Sequence, residues 1–176
     1  MTGKGSLNHN SRKFHAKNTD PNRTHWNVEY CNEDIKDVYH ELFDDALKRY
    51  NDKQTRKDRK IDDYYEKIRS GKQEKLFHEV IIQIGDKDNM GSETMEGQLA
   101  AKILDEYMKG FQERNPTLRV FAAHLHLDEA TPHLHIDFVP FTTGSKRGLD
   151  TRVSLKQALA AQGFKGGTRG DTEWNQ

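Results

Sequence analysis

Cysteine, long apolar runs and net charge are all scarce in this 176-residue chain, and each shortage excludes something. The single cysteine, Cys31, cannot form an internal disulfide and fits a reducing compartment. No stretch is apolar enough to span a bilayer. Met1 to Ser11 is polar and lacks an apolar signal core, so the expected location is the cytoplasm. The apolar fraction is 33% and the mean hydropathy −1.02. A chain this polar has a heavily charged surface and segments that depend on a partner for order. Its length fits one domain spanning 1–176, with residues 1–10 as a flexible arm. Gly166 to Gln176 ends on no stop signal, so the domain is expected to be the N-terminal portion of a longer protein. There is no internal repeat and no low-complexity tract.

The charge balance is 28 basic against 28 acidic residues. A zero total argues against nucleic acid, but the distribution argues for it. Lys48 to Lys75 is strongly basic. Lys146, Arg147, Arg152, Lys156, Lys165 and Arg169 form a second basic zone whose only acids are Asp150 and Asp171. The compensating acids gather at Glu33 to Asp45 and around Asp86 to Glu106. Segregated signs suit a phosphate-binding face. For Lys48 to Lys75 the alternative is a salt-bridged helix surface.

Thr24 to Cys31 alternates Trp26, Val28 and Tyr30 with His25, Asn27 and Glu29. That pattern predicts a half-buried strand with His25 on its polar face and Tyr30 toward the core. Asn32 is the expected cap of a helix running to about Gln54. A weaker helical pattern follows over roughly Asp58 to Ser70, closed by Gly71. Arg56 and Arg59 stand three apart; on a helix they share a face and can grip adjacent phosphates. Leu76 to Ile84 reads as a strand. Thr94 is the expected cap of a long helix bearing Leu99, Ile103, Leu104, Tyr107, Met108 and Phe111, stopped at Asn115-Pro116. Ser154 to Gln157 is a capping box opening a short helix. With the two strands described next, the order makes α+β the fold class: an antiparallel sheet with helices packed on it.

Ala123 to Asp137 holds four histidines and three carboxylates. Leu118 to Leu127 and His133 to Val139 read as strands joined through the turn residues Asp128-Glu129 and Thr131-Pro132. Period 2 sets His133 and His135 on one face of their strand, and His124 and His126 on one face of theirs. If the strands pair, His126, His133 and His135 converge. Three neutral imidazoles suit a borderline divalent cation and leave positions open for a substrate oxygen. His124 is a fourth ligand, a support for one, or plain surface. Such an ion can polarise a phosphoryl oxygen, and nearby arginines can balance the charge of an in-line displacement. The nucleophile candidates are His25, Tyr64, Tyr65 and a metal-bound water, with Glu129 placed to orient or deprotonate one of them. Basic neighbours favour a neutral imidazole at His25. A helical zinc protease is excluded because no His-Glu-x-x-His occurs. Paired His-x-Thr/Ser phosphoesterase motifs are excluded because the repeat here reads His-Leu-His.

The run His126-Leu-Asp-Glu129-Ala-Thr-Pro-His133-Leu-His135 resembles the signature of the Mob/Pre relaxases, the MobV group of plasmid mobilisation enzymes. Asn18-Thr-Asp-Pro-Asn-Arg23-Thr-His25-Trp-Asn27 resembles that family's N-terminal motif, and Arg56, Arg59 and the Arg147-Gly-Leu stretch also match. The similarity covers essentially the whole chain. It implies an HUH-nuclease-like relaxase domain in which His126, His133 and His135 hold Mn²⁺ or Mg²⁺. His25 would be the nucleophile, Glu129 its activating partner, and Arg23, Arg56, Arg59, Arg147 and Arg152 would meet DNA. The implied activity is nicking of one strand of plasmid DNA at a transfer origin, single-stranded or hairpin. The enzyme would stay attached to the 5′ phosphate, with transfer-machinery proteins as further partners in a bacterial cytoplasm. Two rival readings stand beside it. One is a tyrosine-using replication initiator or transposase, for which Tyr64-Tyr65 would matter. The other is a non-enzymatic DNA-binding module with a structural metal, which a single cysteine disfavours.

Overall fold

The computed structural model describes residues 2–3, 6–14 and 16–164. Lys165, Arg169 and Asp171 of the second basic zone, and the C-terminal stretch 166–176, lie outside the described residues. In chain order the elements are β1 (Thr2–Gly3), α1 (Leu7–Asn10), β2 (Val28–Asn32), α2 (Ile35–Asp52), α3 (Tyr64–Ser70) and β3 (His78–Gln83). They continue with α4 (Met95–Lys109), α5 (Phe111–Arg114), β4 (Leu118–His126), β5 (His133–Thr142), β6 (Arg152–Val153) and α6 (Leu155–Ala161). The chain divides into two compact units: 1–32, 78–116 and 120–138 form the first, and 33–77, 117–119 and 139–176 the second.

The first unit carries the sheet. Its strand order is β1-β3-β5-β4-β2, and the β1–β3, β3–β5 and β2–β4 pairs are antiparallel. The α+β class is therefore the one observed. The central strands are buried on both faces: Leu134, Ile136 and Phe138 alternate with His135 and Asp137, and all five are shielded from solvent. Polar side chains that deep must find partners inside the protein. On the sheet edge the sequence pattern fails. Thr24–Trp26 is a 3-10 turn, and the strand starts only at Val28. Asn27 causes the delay, because its Oδ1 turns inward to accept the backbone N–H of Leu127 at 2.7 Å and of Asp128 at 3.2 Å. A bulge between Glu29 and Cys31 then breaks the alternation. Trp26 and Val28 end up 41% and 37% exposed, and Tyr30 gives its hydroxyl to Asp105 at 2.8 Å.

Thr94 caps α4 as expected, its hydroxyl accepting Gly97 N–H. Gly97 must be glycine, since a Cβ there would lie 1.9 Å from the main-chain oxygen of Gly91. The helix buries Ala100, Leu104 and Met108 and leaves Leu99, Ile103 and Tyr107 in solvent, so the expected apolar face is only half used. Residues 1–10 were expected to be a flexible arm; those of them that the structure describes are built into the unit. Thr2 and Gly3 pair with Val80 and Glu79, and Asn10 at the end of α1 is 2% exposed.

In the second unit, Asp34 rather than Asn32 caps α2, accepting Lys36 N–H at 2.8 Å. The buried residues Tyr39, Phe43 and Ala46 recur at helical spacing. The Phe43 ring lies 5.0 Å from Tyr64 and 5.2 Å from Tyr39. The next helix starts at Tyr64, later than the pattern suggested. Asn51 clamps Ile61 from both sides, donating to its carbonyl at 2.8 Å and accepting its N–H at 2.9 Å, and Asp63 supplies the cap. Arg56 consequently precedes a 3-10 turn, Lys57–Arg59, instead of lying on a continuous helix with Arg59. The salt-bridged alternative holds for part of this basic segment, where Lys48 pairs with Asp52, Arg56 with Asp58 and Arg69 with Glu66.

Phe43→Ala should lower unfolding stability by about 3–5 kcal/mol. Leu99→Gln on the exposed face of α4 should change it by less than about 0.5 kcal/mol. Urea unfolding of the two variants tests both, and equal losses would contradict the burial described.

Candidate active site

β4 ends at His126 and β5 begins at His133, so two neighbouring strands present three histidines at one end of the sheet. The ring centroids lie 4.8 to 5.2 Å apart. One ligating atom from each can be drawn from a cluster no more than 4.8 Å across. Hydrogen bonds fix each ring. His126 donates Nε2–H to the Asn10 carbonyl at 2.8 Å, and His133 donates Nδ1–H to the Thr131 carbonyl at 2.8 Å. His135 donates Nδ1–H to Glu79 Oε1 at 2.7 Å. Each bond leaves the opposite nitrogen bare, and Nδ1 of His126 and Nε2 of His135 are buried with no hydrogen-bond partner. Buried lone pairs facing nothing fit a divalent ion. The donor set of three imidazoles suits such an ion and leaves coordination positions free.

Electrostatics favour the neutral, ligating form. Burial pushes the His126 imidazole down to about 3, helped by the charges of Arg12, His135 and His133 and only partly opposed by the bond to Asn10. His133 is lowered as well, chiefly by burial. Asp137, two residues beyond His135, is raised to about 7 by burial and then by the charge of Glu79. For Glu79 burial works upward too, but its hydrogen bonds with His135 and Asn10 outweigh it and the net shift is downward.

Over the trio sits a residue that the sequence reading passed by. His9, on α1, meets His126 and His135 edge to face at 5.9 and 6.3 Å. Its Nε2 is 3.3 Å from Glu129 Oε1 and 3.2 Å from Arg12 Nη1. Arg12 holds both acids of the β4–β5 turn, reaching Asp128 through Nε at 2.9 Å and through Nη2, and Glu129 through Nη2 at 2.9 Å. Burial alone would raise the Asp128 carboxyl, but the bonds and charge of Arg12 hold it at about 2. Asn18 binds the second Glu129 oxygen at 2.7 Å. Arg12 adopts φ 52°, a left-handed conformation costing a non-glycine residue about 1 kcal/mol. Three charge-assisted hydrogen bonds offset that.

The expected trio and Glu129 are thus brought together, and His25 is not among them. It is exposed on the Thr24–Trp26 turn, its ring 5.8 Å from Trp26. Its motif serves the turn instead: Thr24 Oγ1 donates to Asp128 at 3.2 Å, and Arg23 bonds Asp20 at 3.1 Å and the Leu127 carbonyl at 3.4 Å. Arg23 therefore has internal partners where a DNA contact was expected. His124 is buried and bonds Glu29 at 3.2 Å, outside the three-histidine cluster. Arg56, Arg59, Arg147 and Arg152 belong to the second unit. Arg56 is paired with Asp58, Arg152 with the Ser145 hydroxyl, and Arg59 and Arg147 are exposed. His9, Asn10, Arg12 and Glu79 were missed. No local signal marks them: α1 ends at Asn10, and Arg12 stands outside it in a left-handed conformation.

Sheet and trio together give an α+β domain with a candidate divalent-metal centre at one end of its central strands. A family profile described as plasmid recombination enzyme (Mob_Pre) matches residues 4–163, and the chain belongs to that family. A plasmid recombination enzyme of Streptococcus agalactiae is 26% identical over 159 residues, covering 86% of this chain and 28% of that protein. The chain thus spans under a third of that relative's length. Among solved structures, the Mn-bound relaxase domain of MobM with a 22-nucleotide piece of plasmid pMV158 oriT DNA is 29% identical. The match has a TM-score of 0.50 and covers 86% of this chain and 67% of that one.

The depressed His126 pKa has a consequence for metal-free protein. Between pH 6.5 and about 3 the unfolded imidazole carries a proton that the native one refuses. The His126 contribution is therefore full above pH 6.5 and falls as the pH drops, by up to about 1.4 kcal/mol per pH unit. Asp128 acts lower down, its contribution present above 3.8 and lost only as the pH falls through about 2. Asp137, raised to about 7, works in the opposite sense between pH 7 and 3.8, so the test is a difference: relative to His126→Gln, the wild-type urea midpoint in EDTA should fall from pH 7 to pH 4. Parallel profiles for the two proteins would contradict the assignment.

Proposed function

We propose that this chain is a metal-dependent relaxase domain. On this reading it takes Mn²⁺ or Mg²⁺ on His126, His133 and His135 and binds plasmid DNA of a transfer origin in single-stranded or hairpin form. It nicks one strand and remains attached to the 5′ phosphate through a histidine. The observation that carries the reading is His9 with Glu129 at 3.3 Å over the three-histidine cluster. Family membership supports it, as do the DNA and the manganese named for the MobM relative. His9 then has the role that the motif resemblance gave to His25.

A divalent ion bound there would polarise the scissile phosphoryl oxygen. The rest falls to the chain. One ring nitrogen of His9 attacks phosphorus, the P–N bond forms, and the bond to the 3′ oxygen breaks. The proton on the other ring nitrogen becomes acidic as the ring gains positive charge. Glu129, 3.3 Å from Nε2, accepts it there, and the leaving 3′ oxygen takes a proton from solvent, so one proton is lost and one gained. Arg12 holds that acid within reach of the ring through its Nη2 bond to Glu129 at 2.9 Å. Arg59, Arg147 and Arg152 are the remaining candidates for phosphate contacts away from the scissile bond. A tyrosine nucleophile has less in its favour: Tyr64 is buried, its hydroxyl accepts Val153 N–H at 3.1 Å, and burial raises its pKa.

Supercoiled plasmid carrying a cognate transfer origin, incubated with the protein and Mn²⁺, should be nicked, and EDTA should abolish nicking. The trapped protein–DNA adduct should release DNA in mild acid and resist alkali, as a phosphoramidate does. His9→Ala should form no adduct, while His25→Ala should form one. The reverse pair of results would return the nucleophile to His25. An acid-stable adduct lost on Tyr64→Phe or Tyr65→Phe would favour the tyrosine-using reading.

A further inference from the structure

The second unit holds a concavity of about 690 Å³ between α3, the Gly71 to Glu74 loop and the Arg147 to Val153 segment. Its floor is apolar, made by Ile68 with the buried Leu149 and Val153. Its rim is cationic. Lys67, Lys72 and Arg147 stand around the opening, all three exposed. Lys67 and Ile68 follow Tyr64 at i+3 and i+4, so α3 turns a cation and an apolar side chain toward the same space.

Among the described residues, the charges on this rim have no acidic partner. Arg49, Arg56 and Arg69 in the same unit are each held by an aspartate or glutamate. Among the described residues none of Lys67, Lys72 and Arg147 forms an ion pair. The one acid lining the concavity is Glu74, whose carboxyl burial raises, and it lies in the field of Arg152. At Gly148, φ +70°, an added Cβ would meet nothing within 4 Å, so the backbone side of the opening is clear. Unpaired cations above an apolar floor match two different parts of one ligand. A nucleobase is flat and largely apolar on its faces, and phosphates flank it at fixed spacing on the strand.

We propose that this pocket receives one unstacked nucleobase of single-stranded DNA, with the flanking phosphates on Lys67, Lys72 and Arg147. The proposal rests on the reading of the chain as a single-strand-binding relaxase domain. It adds a second contact point, in the second unit, that fixes which nucleotide is held.

The test uses a labelled oligothymidylate and an abasic phosphodiester of equal length, with affinity read by anisotropy across a salt series. Wild-type protein should bind the oligothymidylate more tightly. Ile68→Gln should weaken oligothymidylate binding by about tenfold and leave the abasic strand unchanged. The exposed pair Lys67→Ala and Arg147→Ala, combined, should weaken both and make the log–log salt slope shallower by about 1.4. An Ile68→Gln loss equal for both strands, or no loss, overturns the base site. An unchanged slope overturns the phosphate contacts. Either failure leaves nicking, and so the proposed function, standing. A wild-type protein that nicks no plasmid and binds neither strand sinks both. Thymidine monophosphate that binds the pocket and is not displaced by oligothymidylate would assign it to a free nucleotide instead.

Discussion

A buried hydrogen-bond chain through Asn10 holds the site in one geometry. Its main-chain oxygen receives His126 Nε2–H, and its side-chain amide donates to Glu79 at 2.7 Å and to Asp137 at 3.1 Å. Glu79 in turn receives His135 Nδ1–H. One residue therefore orients two histidines of three and keeps two neighbouring acids apart in charge, with Asp137 raised and Glu79 lowered. Without that amide, two buried carboxylates would face each other with nothing between them, an arrangement that costs several kcal/mol or forces one of them to stay protonated. α1, at four residues, is too short to be helical by itself. Its position, and with it that of His9, comes from these bonds.

The opposite wall depends on Asp128. Fully buried, it takes Arg12 and Thr24 as partners, while Asn27 Oδ1 accepts the successive backbone N–H groups of Leu127 and Asp128. A stretch that resembles a catalytic motif in sequence is in this structure the brace of the β4–β5 turn. That turn sets where Glu129 points. Ser92 adds a bond from its hydroxyl to the Glu129 carbonyl at 3.3 Å. The acid is thus fixed at its backbone as well as at both oxygens.

What could be read from the sequence were the local patterns. Period-2 histidines and turn residues between two β-rich runs are enough to place His126, His133 and His135 together, because neighbouring strands leave few other arrangements. Capping at Thr94 and Ser154 was legible for the same reason, each being decided within four residues. Contacts between positions far apart in sequence were not legible. His9 reaches Glu129 across 120 residues, and nothing in the composition of residues 6–12 announces a tertiary role. The strand expected at Thr24 failed because Asn27 spends its side chain on a distant backbone. The face of α4 was misjudged because the 3.6-residue period identifies apolar positions without saying which of two adjacent stripes is covered.

The separation of His9 from its neighbours also fixes when the site can exist. A chain leaving the ribosome presents His9 more than a hundred residues before His126 and His135. At about 5–20 residues per second, α1 waits on the order of ten seconds before β4 and β5 are available. Through that interval α1 has no partner to order it. A nascent chain that stops short of β4 and β5 therefore carries His9 without the rings it meets, and the cluster is assembled only when the central strands of the sheet close.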